Sequence, residues 1–154
     1  MVKSESHDGG LVKVMFRLSP DEWHGSAAET LWATPVGPDS YRLENTPFYA
    51  FGVSFQDVVV ATSENSVFVF SGVFKHGGHS TYRIIVDPNR KDDFEEFWEP
   101  LHEKRCTYEA GPGGLLAVDV PPEANIRDVY GCLQAGEDAG VWGFEEGHCG
   151  HLVE

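Results

Sequence analysis

The chain has 154 residues, 41% of them apolar and 12% aromatic, which suits a packed core and argues against a disordered chain. Eleven Lys and Arg against 25 Asp and Glu leave a net charge of −14, so binding to nucleic-acid phosphates or to an acidic membrane surface is disfavoured, and a basic protein partner or a cation is favoured. Three cysteines argue against a disulfide framework. No apolar run approaches the ~18 residues of a membrane span, and the polar start has no signal-peptide core, so a cytoplasmic location is expected.

Residues 1–10 are polar and glycine-rich and are expected to form a flexible tail. Residues 11–18 set Val12, Val14, Phe16 and Leu18 against Leu11, Lys13, Met15 and Arg17, the alternation of a half-buried strand. After a turn at Ser19-Pro20-Asp21-Glu22, residues 29–36 and 41–44 read as strands around Gly37-Pro38-Asp39-Ser40. Pro47 ends that pairing, because proline cannot donate to a ladder. Residues 56–63 and 66–74 are two further strands around Glu64-Asn65. Five short strands with no convincing helix predict a small antiparallel β-barrel-like half over residues 11–77, and Lys75-His76-Gly77-Gly78 reads as the hinge.

The second half, residues 78–154, changes period. Phe94, Phe97, Trp98 and Leu101 fall at i, i+3, i+4 and i+7, and so do Ile126, Val129, Tyr130 and Leu133. Each set puts large apolar groups on one face of a helix. Pro100 should kink or shorten the first helix. Asp87-Pro88-Asn89-Arg90 offers caps before it, and residues 136–140 end the second. Residues 81–86, 106–109, 115–120 and 141–144 read as strands. The order strand, helix, strand, strand, helix, strand is a split βαβ, or ferredoxin-like, unit, so the fold class is α+β.

Four segments occur together in one order: Glu29-Thr30-Leu31-Trp32-Ala33, Tyr41-Arg42-Leu43-Glu44-Asn45-Thr46-Pro47-Phe48, Gly78-His79-Ser80-Thr81-Tyr82-Arg83 and Leu115-Leu116-Ala117-Val118-Asp119-Val120-Pro121-Pro122. With Glu145-Glu146-Gly147 near the end, the set resembles a bacterial family known as a domain of unknown function, number forty-two sixty-five. The resemblance runs from about Leu11 to His151 and implies a small soluble bacterial protein; it implies no activity.

In a split βαβ sheet the strand order is 4-1-3-2, so the last strand lies beside the first. The segment before 81–86 and the segment closing the chain should then meet at one edge, gathering His76, His79, His148, Cys149 and His151. These are donors for zinc or another transition metal, and Glu145 and Glu146 could orient the imidazoles. The spacing His-Cys-x-His matches no strong zinc signature. The competing view is adventitious nickel or zinc on a histidine-rich chain end. Cys149 beside histidine also admits a nucleophile-and-base reading, with no oxyanion hole or orienting acid at a fixed spacing.

Asp57 reads as a turn cap, Arg83 as half of a structural ion pair, Ser80 as an edge hydroxyl bonding backbone, and Trp23, Trp32, Trp98 and Trp142 as core or interface anchors. The leading expectation is a non-catalytic binding, accessory or regulatory protein, of the kind that caps a basic toxin, or one that self-associates. The alternative is a small metal-binding protein or metal-dependent enzyme built on the histidine corner.

Overall fold

The computed structural model describes residues 10–152; of the tail expected over residues 1–10, all but Gly10 lie outside them. The first five strands are β1 (Val12–Arg17), β2 (Ala28–Gly37), β3 (Ser40–Leu43), β4 (Val58–Glu64) and β5 (Val67–Lys75). They pair antiparallel in chain order, and β1 then returns to β5 with Val14 opposite Phe68 and Met15 opposite Val69, so the sheet closes on itself. That closing pair is parallel, which corrects the expectation of an antiparallel half. The cause is parity: after four reversals a fifth strand runs in the same direction as the first. Inward alternation buries Val14, Phe16, Leu31, Ala33, Leu43 and Val59 in one cluster. Asn65 and Ser66, both at positive φ, make the tight turn from β4 to β5.

The second sheet contains β6 (Ser80–Val86), β7 (Thr107–Ala110), β8 (Leu115–Val120) and β9 (Trp142–His148), ordered β7-β8-β6-β9 with every pair antiparallel. This is the 4-1-3-2 order of the expected unit, so the molecule is mixed α+β. Its helices are α1 (Phe94–Glu103) and α2 (Ile126–Asp138). Trp98, Leu101, Val129 and Leu133 are buried against the sheet as their spacing requires, with Tyr82, Ile84, Val118 and Val120 beneath them; Tyr130 is left largely exposed. Helix α1 continues through Pro100 to Glu103, so the proline costs one backbone hydrogen bond without ending the helix. Asp87 caps a 3-10 turn, Pro88–Asp93, that leads into α1. Within α2, a methyl group on Gly136 would overlap the indole of Trp142, whose Nε1 donates to Leu133 O at 2.9 Å.

Strand β9 is longer than expected: it runs to His148, since Glu145 pairs with Arg83, Glu146 with Tyr82 and His148 with Thr81 across a bulge. A polar run can continue here because β9 is an edge strand. Residues 44–57, between β3 and β4, close the sheet face away from the helices. Gly52 N–H donates to Gly147 O at 3.0 Å, Thr46 N–H to Glu109 Oε2 at 2.8 Å, and Ser54 Oγ meets Thr81 Oγ1 at 2.6 Å. With both faces covered, all six residues of β8 are buried. No helix among the described residues is long and apolar enough to cross a membrane.

Candidate functional site

The polar groups of this junction start from Asp57, which ends the covering segment just before β4 and is fully buried. Its Oδ1 accepts Gly77 N–H at 2.7 Å; its Oδ2 accepts Ser54 N–H at 2.9 Å and His76 Nδ1 at 2.9 Å. An ionised carboxylate only accepts, so the His76 nitrogen facing it, Nδ1, carries a proton. Asp57 is therefore more than the turn cap its sequence context suggested: it ties the covering segment to the end of β5. His148, at the end of β9, stacks on His76 with ring centroids 4.5 Å apart and planes 16° from parallel. Its Nε2 is buried without a hydrogen-bond partner among the described residues. Burial first, and the neighbouring His76 second, hold the His148 pKa below its ordinary value.

Asp57, His76 and His148 offer ligand atoms within 4.8 Å of one another. A closed structural zinc site needs four protein donors. Here the carboxylate already accepts three hydrogen bonds and the rings lie nearly parallel. The three side chains form a candidate Asp/His/His site in which Asp57 orients His76 from behind.

The other three expected donors lie elsewhere. His79 Nδ1 meets Asp119 at 2.9 and 3.1 Å. His151 Nδ1 meets Ser80 Oγ at 2.6 Å and its Nε2 meets Pro121 O at 2.9 Å. Cys149 Sγ lies 3.5 Å from His151 O. The chain end does fold back along β6, and Gly150 N–H donates to Ser80 Oγ at 2.9 Å. β6, however, lies between β9 and β8, and acceptors at the end of β8 draw His79 and His151 away from His76, because half-buried imidazoles take whatever partners are within reach. The five-residue corner thus divides into three separate contacts. Ser80 is fully buried on an interior strand, and its hydroxyl accepts the expected backbone N–H, from Gly150, while also pairing with the His151 imidazole. The Cys149 thiol faces a carbonyl rather than an imidazole, and no base activates it among the described residues.

A second group was not legible as a set. Glu29 accepts the backbone N–H groups of Phe48, Tyr49 and Ala50. Arg83 donates through Nη2 to Ala50 O, and its Nη1 lies 3.9 Å from Glu145 Oε2. The expected ion pair is present at the outer limit of distance and without a hydrogen bond. Burial pulls the Arg83 pKa down, opposed by Glu29 and Glu145.

The fold and this junction define a small mixed α+β protein whose buried polar groups lie between a closed five-stranded sheet and the open face of a four-stranded one. The model of the family described as a domain of unknown function (DUF4265) matches residues 29–144, and the chain belongs to that family. A crystal structure of a hypothetical protein from Neisseria gonorrhoeae is similar in fold, with a TM-score of 0.76 over 89% of this chain and 94% of the other, at 19% sequence identity. No curated protein is significantly similar to the chain.

Proposed function

We propose that this is a cytoplasmic, non-catalytic binding or accessory protein. Residues 11–77 form a small barrel-like half and residues 78–154 a ferredoxin-like half of one scaffold, and its acidic surface receives a basic protein partner such as a toxin to be capped. The observation that carries this reading is a depression of about 590 Å³ where β1 meets β5, with exposed Leu11, Trp32 and Val67 on its rim. Lys13 lies 5.1 Å over the Trp32 ring. Trp32 supplies an apolar anchor here, and the net charge of −14, carried outside this rim, where Lys13 is the one charged lining residue among those described, would steer a basic partner towards it. Affinity capture with the wild-type chain and with Trp32→Ser, at low and high salt, tests the reading. A single basic protein should be retained by the wild type, lost with Trp32→Ser and released by salt. A retained protein that is acidic, or indifferent to both changes, counts against it, as does the absence of any.

A second reading is supported by the proximity of Asp57, His76 and His148: a zinc or other transition ion bound at the junction, with His79, Cys149 and His151 taking no part. Elemental analysis of untagged protein should then find stoichiometric metal that is lost in His76→Ala and His148→Ala and kept in His151→Ala. Metal-free wild-type protein, or metal that survives both substitutions, rejects this reading.

A further inference from the structure

We propose that Arg83 is the anion-binding group of a small-molecule site on the barrel-facing side of the second sheet, and that the site takes a monocarboxylate with an aromatic or apolar body. Arg83 lies in mid-β6 between Ala117 of β8 and Glu145 of β9, and its side chain is 1% exposed. A guanidinium in such a place needs acceptors for its N–H groups. One is met by Ala50 O; Nε and Nη1 have no hydrogen-bond partner among the described residues.

The obvious protein acceptors are otherwise engaged or too distant. Glu29 accepts three backbone N–H groups. Glu145 Oε2, at 3.9 Å, is beyond hydrogen-bonding reach and is itself buried without a partner. The surroundings are nevertheless built around the cation. The Phe51 ring lies 5.1 Å from it, and Gly147 leaves the space that any side chain there would take from Nη1.

Arg83 also lines a cavity of about 480 Å³ with Trp23, Ile85, Phe144 and Glu145, a volume in the range of small-ligand sites. Trp23 and Ile85 are half-exposed at its mouth, which suits an aromatic or apolar body leaving a planar head for the guanidinium. Glu137 and Glu145 on the wall, within a chain of net charge −14, disfavour a dianion such as phosphate and leave a single negative charge as the better match.

Titration calorimetry of the full chain tests this with phenylacetate as the probe and inorganic phosphate as the dianion control. The wild type should bind phenylacetate saturably and phosphate not at all. Trp23→Ala should weaken binding about tenfold. Glu145→Gln, which removes the competing carboxylate, should tighten it about threefold or more. Arg83→Met, if its melting curve stays cooperative, should abolish it. Lack of saturable binding by the wild type up to about 20 mM phenylacetate, an affinity too weak to matter, overturns the proposal. Indifference to both Trp23→Ala and Glu145→Gln does the same. Phosphate binding as tightly as phenylacetate overturns the choice of a monocarboxylate.

Discussion

The two sheets solve burial differently. The five-stranded sheet closes on itself and encloses an apolar cluster around Val14, Leu31 and Val59. The four-stranded sheet stays open, with helices over one face and residues 44–57 over the other. The closed sheet leaves charged groups such as the exposed Arg17–Glu64 pair at 2.6 Å outside. Its buried carboxylate, Glu29 of β2, is turned towards the N–H groups of residues 48–50 in the covering segment. An open sheet covered by a loop takes polar groups inside, because the loop brings backbone N–H and C=O groups that need partners. Thr81 and Arg83 are buried for that reason, bonded to Val53 O and Ala50 O, and the chemistry of the molecule gathers there.

Substitutions can sharpen this contrast. The largest effect is expected from Gly136→Ala, whose methyl group would overlap the Trp142 indole; a loss of about 3 kcal/mol by denaturant unfolding is expected. A fall of less than ~0.5 kcal/mol would mean that α2 packs less tightly on β9 than described. Next is Ser54→Ala, which leaves the Thr81 hydroxyl without its 2.6 Å partner beneath the covering segment; about 1 kcal/mol should be lost, and no loss would show that the segment is held by its other contacts.

His148 provides a pH test. Its folded-state pKa lies below its ordinary value of 6.5, so the unfolded chain takes up the proton more readily than the folded one. Stability should therefore be full above that value and fall as the pH is lowered through it. His148→Phe should flatten that part of the profile; an unchanged slope would assign the loss to other groups. The smallest effect is expected on the closed sheet, where Arg17→Ala should leave the melting temperature unmoved, since both partners of the pair are exposed. A clear drop would show that the closed sheet also depends on its charged pairs.

Much of the fold could be read from the chain because local pattern and tertiary demand agree. Val14 and Phe16 alternate inward, Trp98, Leu101, Val129 and Leu133 mark helix faces, and the strand order follows from the split βαβ sequence of elements. What escaped depended on distant partners. The parallel seam of β1 and β5 needs the strand count. The extension of β9 through Glu145, Glu146 and His148 shows no apolar alternation, and only the pairing with β6 holds it in place. Folding back of the chain end was legible, and it does bring His148 to His76. The fate of His79 and His151 was not, because Asp119 and Pro121 reach them from β8 on the other side of β6. Asp57, read as a turn cap, acquires its role only when Gly77 and His76 arrive from the end of β5.

The sealed polar junction is tested most directly by amide hydrogen exchange at Gly52 and Gly77. Gly52 N–H donates to Gly147 O at 3.0 Å and Gly77 N–H to Asp57 Oδ1 at 2.7 Å, so both should exchange as slowly as the amides of β6. Exchange at both positions as fast as in an open loop would mean that residues 44–57 do not close the sheet, and the site around Asp57 and Arg83 would lose its walls.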